Sequence, residues 1–176
     1  MSPLLKLRPV DPDDEPFLRR LRAQVDTERL GLHAWSPEQA ATARLLIDLQ
    51  FRAHAAHYRK VKNDWDTKDC VIELDGVPVG RFVVTQDAKV VHLADLAVDF
   101  AHRGQGLGHA VIDTMKAECV QSRRVLRLCA ETSSTVVQFY LQQGFRVIQE
   151  ELTHWVLEWV PPSLTGKTMV FAPPGP

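Results

Sequence analysis

Arg103-Gly104-Gln105-Gly106-Leu107-Gly108 places a guanidinium ahead of glycines at every second position, and the segment runs straight into a stretch with helical spacing. Glycines lack the Cβ atoms that keep a ligand away from the main chain. The first amides of a helix have no intrahelical acceptor, and they stand at the positive end of the helix dipole. A strand entering such a loop and a helix leaving it make a binding place for an anion such as a pyrophosphate, to which Arg103 could add a charged contact. The competing reading is a glycine-rich turn that only connects two elements. Two familiar phosphate loops do not fit. The dinucleotide fingerprint G-x-G-x-x-G would need a third glycine where His109 stands. Gly166-Lys167-Thr168 looks like the end of an NTPase phosphate loop, yet it follows Pro161-Pro162 with no helical pattern behind it.

Other side chains could move protons or bind metals. His92 and Asp95 both lie in the apolar run Val90 to Val98. An imidazole titrates in the range a general base needs at neutral pH. Asp95 is its rival, although strict alternation puts it on the opposite pleat from His92, Leu96 and Val98 unless a bulge intervenes. For each, a structural role competes with a catalytic one. Cys70, Cys119 and Cys129 form no CxxC or zinc spacing, and three thiols cannot all pair within one chain, which fits reducing conditions. Cys119 on a helical apolar face and Cys129 inside an apolar strand are expected to fill the core rather than act as nucleophiles. His54 and His57 are one helical turn apart, but no third ligand accompanies them, so no metal is expected. With Tyr58 they would face a substrate or form a half-buried helix face. Trp35, Trp65, Trp155 and Trp159 are expected in the core or at an interface.

The rest of the chain must position these groups. Its 176 residues, 45% hydrophobic and 24% charged, suit one globular domain with a full core, needing neither disulfide nor structural metal. The net charge of -1 offers no general attraction to nucleic acid or an anionic membrane. No apolar window reaches membrane-span length and no secretory leader is evident, so the expectation is a cytoplasmic protein. A strand at Leu4 to Val10 precedes a helix capped by Asp13 and ending near Gln24. Ser36-Pro37-Glu38-Gln39 reads as a capping box opening a long helix to about Lys60, with apolar stripes Leu45/Leu49/Ala53/Ala56 and Ile47/Phe51/His54/Tyr58. Strands at Cys70 to Leu74 and Val77 to Thr85 flank Asp75-Gly76, which favours a type I′ hairpin, and Gly80 marks a bulge or a close backbone approach. After the strand Val90 to Val98 and the glycine loop comes a helix to about Gln121 with Leu107, Val111, Met115 and Cys119 on one face. A buried strand Val125 to Ala130, a short helix Ser134 to Gln143 stopped by Gly144, and a hairpin from Phe145 to Trp159 complete the pattern. The domain is placed at residues 1–160. Residues 161–176 form a Pro-rich tail, holding five of the eleven prolines. It is either disordered or an arm laid over a neighbour.

Three segments together resemble the GCN5-related N-acetyltransferase (GNAT) superfamily. Residues 103–108 match its R/Q-x-x-G-x-G/A signature, Leu93 to Val98 is similar to its fourth strand, and Phe139-Tyr140-Leu141-Gln142-Gln143-Gly144-Phe145 is similar to its F-Y-x-x-x-G-F segment. The resemblance extends over about residues 4–159, and its second half is the more diagnostic. It implies an α+β fold of three layers, a mixed, mostly antiparallel sheet of six to seven strands flanked by helices. It also implies acetyl-CoA as cosubstrate. The coenzyme's pyrophosphate would lie on Arg103, Gly104, Gln105, Gly106, Leu107 and Gly108. Its pantetheine arm would lie along Leu96, Ala97 and Val98, with the Val98 amide on the acetyl carbonyl if a bulge frees it. Ser133 stands where the family often has Asn; its hydroxyl would serve the pantetheine arm or simply cap a helix.

The same resemblance casts Tyr140 as the acid that protonates the departing thiolate, against the reading of an aromatic core residue. It also points to His92, eleven residues before Arg103, as the base, with Asp95 still open. The expected activity is acetyl transfer to a primary amine of a small molecule or protein by direct attack in a ternary complex. Its rivals are a non-catalytic acyl-CoA sensor or interaction module and a nucleotide-phosphate binder. No nucleic acid or membrane partner is expected. The tail with Trp155 and Trp159 is compatible with a homodimer.

Overall fold

The computed structural model describes residues 4–29, 31, 35–39, 41–43, 45, 66–132 and 134–165. Its elements are β1 (Leu5–Pro9), α1 (Glu15–Arg29), β2 (Asp66–Leu74), β3 (Val77–Gln86), β4 (Val90–Val98), α2 (Leu107–Ser122), β5 (Val125–Glu131), α3 (Val136–Gln142), β6 (Arg146–Glu150) and β7 (His154–Trp159). The strands are ordered β1-β2-β3-β4-β5-β7-β6. The pairs β1/β2, β2/β3, β5/β7 and β6/β7 are antiparallel. At the starts of β4 and β5 the Val125 N–H donates to the Lys89 carbonyl (3.0 Å), so these two strands set out in the same direction and the sheet is mixed.

The chain forms two compact units, Met1–Asp87 with Leu93–Gly108, and Ala88–His92 with His109–Pro176. In the first unit, the 3-10 turn that leads into α1 is capped by Asp11 rather than Asp13. The Asp11 carboxylate accepts the Asp13 N–H (3.0 Å), while the Asp14 carboxylate accepts the Asp11 N–H (2.8 Å). This box encloses the single 3-10 turn Pro12–Asp14, so the cap lies two residues earlier than expected, and α1 runs past Gln24 to Arg29. Arg8 grips Asp14 (2.7 and 2.8 Å) and Glu73 (2.6 Å), tying β1, the cap and β2 together. Phe17, Leu18 and Leu21 of α1 pack against Val71, with Val10 and Ala97 beside them. Asp75 (φ 52°) and Gly76 (φ 82°) give the type I′ connection between β2 and β3. Gly80 serves both expected purposes. The β2/β3 register shifts between Ile72 and Glu73, opposite Gly80 and Pro78, and a Cβ on Gly80 would stand 2.6 Å from the Ala97 carbonyl oxygen.

Ser36 and Gln39 exchange the expected capping bonds (3.2 and 3.4 Å). Ala43 is buried, but Leu45 is 61% exposed, so that stripe is not covered at its start. The rest of the segment expected to form that helix, with His54, His57 and Tyr58, lies outside the described residues. So do Trp65, Ser133 and the tail beyond Thr165.

In the second unit, Leu128, Ala130 and Leu126 of β5 are buried while Cys129 is exposed, because the strand alternates rather than being enclosed on both faces. Cys129 is therefore not a core filler. Cys119 is, completing the buried stripe Leu107, Val111 and Met115, and burial pushes its thiol up to about 11. Gly144 (φ 82°) ends α3 as expected. Pro161 is fully buried, and turns continue to Thr165.

Candidate functional site

The loop is set up by the end of β4. The Asp99 N–H donates to the Val79 carbonyl (2.8 Å), holding the strand end against β3, and the Asp99 carboxylate accepts the Ala101 N–H (3.3 Å) to start a 3-10 turn at Phe100–His102. The Arg103 N–H closes that turn on the Phe100 carbonyl (3.3 Å). Gly104 (φ 74°) and Gly106 (φ 80°) then take backbone conformations that a side chain would strain. A Cβ at either would meet nothing within 4 Å, so the glycines serve the turn and the open space above it, not internal packing. Gln105 donates from its side chain to the Ala101 carbonyl (3.4 Å). Among the described residues, none accepts a hydrogen bond from the amides of Gly104, Gln105 or Gly106. The first amides of α2, beginning at buried Leu107, have no acceptor within the helix. This leaves a row of main-chain donors at the positive end of a 16-residue helix, suited to the oxygens of a diphosphate.

The Arg103 side chain does not turn toward those glycines. Its Nε donates to the Val98 carbonyl (3.1 Å), its Nη1 meets both carboxylate oxygens of Glu28 (3.0 and 2.9 Å), and its guanidinium lies over the Phe100 ring (4.1 Å to the centroid). Glu28, near the end of α1, was invisible to sequence reasoning: 75 positions separate the pair, and no local pattern links them.

Leu96, Ala97 and Val98 are half-buried at the end of β4. Asp95 also lies in β4. Its carboxylate stands 3.6 Å from Arg81, whose other donors grip Asp69 (2.9 and 2.8 Å). Burial raises the Asp95 pKa above the ordinary carboxylate value, and the charges of Arg81 and of Arg22 on α1 oppose that rise. Asp95 thus has the character of a strengthened base, held beside a fixed cation. Arg81 and Asp69 are further residues that the sequence did not single out.

In the second unit His92 is half-buried at the start of β4. Tyr140 is 7% exposed, and its ring meets those of Phe139 (5.1 Å) and Phe145 (5.5 Å) edge-on, while Phe139 in turn packs edge-on against His109 (4.9 Å). Lys116 donates to the Gln143 carbonyl (2.6 Å) beside the end of α3 and lies over the Phe145 and Trp159 rings. Burial lowers its pKa. Its charge complements the negative end of that short helix and so secures the element that carries Tyr140. Among the described residues, no group of three or more His, Cys, Asp or Glu could hold a metal ion, and no helix is long and apolar enough to cross a membrane.

The family model for an acetyltransferase (GNAT) domain matches residues 34–165. Among solved structures, the chain is similar to the PaiA N-acetyltransferase of Thermoplasma acidophilum in complex with coenzyme A, with 14% identity over 89% of this chain and 99% of that one and a TM-score of 0.68. It is similar also to an acetyltransferase of Thermus thermophilus (19% identity, 89% and 96% covered, TM-score 0.63). A third is the Campylobacter jejuni N-acetyltransferase PseH (13% identity, 90% and 99% covered, TM-score 0.61). None of the curated proteins compared with the chain matches it.

Proposed function

The chain belongs to the GNAT acetyltransferase family, whose model covers residues 34–165 of its 176, and from that premise we propose that it transfers an acetyl group from acetyl-CoA to a primary amine. Its mixed seven-stranded sheet with helices is the acyl-CoA N-acyltransferase fold. The observation that carries the proposal is the exposed loop of Gly104 to Gly106, whose amides no described residue claims, at the start of α2. Those amides fit the coenzyme's diphosphate, and the half-buried end of β4 at Leu96 to Val98 is where its pantetheine arm would lie.

Transfer requires a neutral amine, whose reference pKa of about 10.4 means that a proton must first leave it. His92 or Asp95 takes that proton, directly or through water. The amine nitrogen then bonds to the thioester carbonyl carbon while a main-chain donor, the Val98 amide, stabilises the oxygen. The C–S bond breaks as Tyr140 donates a proton to the thiolate, and the remaining excess proton on the new amide nitrogen passes, directly or through water, to the tyrosinate, restoring the phenol. Holding both substrates together supplies the effective concentration, so no acetyl-cysteine intermediate is needed. Cys119 supports this: its raised pKa and burial make it a poor nucleophile.

One observation favours a second reading, an acyl-CoA-binding module without turnover: Tyr140 is packed among aromatic rings like a core residue. An assay of free thiol release from acetyl-CoA across a panel of amines separates the two. Turnover that falls by about 100-fold or more in Tyr140→Phe, with acetyl-CoA affinity kept, is the expected result. Coenzyme binding without turnover on any amine would favour the module. The acid limb of the rate profile assigns the base. It disappears in His92→Ala if the imidazole acts, and in Asp95→Asn if the carboxylate does.

A further inference from the structure

We propose that Glu28 is a positioning residue for the glycine loop and that Arg103 acts as a strut between the two rather than as a phosphate ligand. The inference rests on reading the loop as the coenzyme's diphosphate site. Among the described residues, every contact of the Arg103 side chain runs backward or to α1: Val98, Phe100 and Glu28. A planar guanidinium held at Nε, at Nη1 and on one face has little freedom left. Arg103 is also the residue from which the chain enters a permissive stretch, two positive-φ glycines within three positions. Glycine has the most conformational freedom to lose, so fixing the point of entry lowers the entropy cost of presenting the amides in one arrangement.

Glu28 suits this use better than it suits its helix. It stands one residue from the end of α1, where the helix dipole disfavours a carboxylate, and the Arg103 charge offsets that penalty. The other end of the strut is anchored, since α1 is fixed to the sheet through Phe17, Leu18 and Leu21. Because Glu28 already balances the Arg103 charge, the pair supplies placement rather than net attraction for an anion.

The test uses the full chain with Glu28→Gln, Arg103→Ala and the double variant. Calorimetry measures acetyl-CoA and S-acetyl-pantetheine, which lacks the diphosphate. Each single variant is expected to raise the acetyl-CoA Kd about fivefold, the double variant no further, and neither to change S-acetyl-pantetheine binding. The loss is expected in KM for acetyl-CoA rather than in kcat. Thermal unfolding checks the fold, which an ion pair with side chains 39% and 56% exposed should scarcely affect. Wild-type or tighter binding by Glu28→Gln, additive effects in the double variant, or an equal loss with S-acetyl-pantetheine would overturn the strut. A wild-type protein without affinity for acetyl-CoA would instead remove the loop's assignment, and the strut with it.

Discussion

Two of the turns that use left-handed backbone spend their polar groups differently. At Asp75-Gly76 (φ 52° and 82°) the Asp75 N–H donates to the Leu4 carbonyl (3.1 Å), and the Asp75 carboxylate accepts the Leu4 N–H (2.9 Å). That turn's hydrogen-bonding capacity goes into joining the hairpin to β1. At Gly104 and Gly106 (φ 74° and 80°) the amides find no acceptor among the described residues, and a helix begins immediately after. The conformation is similar in both places. Donors left unspent at the positive end of a helix, and not the glycines by themselves, are what would suit the second turn to an anion, as the proposed function requires.

The largest test of that contrast replaces Gly104 and Gly106 together by Val. Left-handed backbone costs an L-residue about 1–2 kcal/mol, so the two strained positions should weaken acetyl-CoA binding by about 100-fold in calorimetry. Unchanged affinity would put the diphosphate elsewhere.

A smaller effect, on stability alone, is expected from Asp14→Asn. This change breaks the part-buried pair with Arg8 and weakens the cap of α1, and it should cost about 2 kcal/mol in urea unfolding without altering coenzyme affinity. The hydrogen bonds from Arg8 hold the Asp14 carboxyl below its ordinary 3.8. Its contribution is therefore complete above that value and is lost as pH falls through the folded-state pKa. The wild type should lose this part of its stability in acid, below about pH 4, and Asp14→Asn should not.

Gly76→Ala gives the smallest change, about 1 kcal/mol of stability from the strained φ, with acetyl-CoA affinity intact. A loss of affinity comparable to that at the loop would erase the distinction between the two turns.

Much of this was legible because it is local. An apolar run marked β4 from Val90 to Val98, and the Leu107/Val111/Met115/Cys119 stripe marked the buried face of α2. Asp75-Gly76 announced its turn type, and Gly144 the end of α3. Where expectation and structure part, the cause is a competing interaction. Asp11 rather than Asp13 caps the 3-10 turn that leads into α1 because Asp14 can answer it across that turn and be held there by Arg8. Cys129 is exposed because an apolar run such as Val125 to Ala130 does not reveal whether one face or both are covered.

The sequence by itself determined that Asp75-Gly76 and Gly144 would take left-handed backbone, which face of α2 would be apolar and that a helix would start behind Gly106, since each follows from neighbours a few residues apart. Tertiary structure alone decided that Arg103 would meet Glu28, that Arg81 would stand between Asp69 and Asp95, and that burial would raise the Asp95 pKa. Those outcomes depend on distances between side chains that the fold brings together from separate elements, and on loss of water around a charge, neither of which residue spacing records.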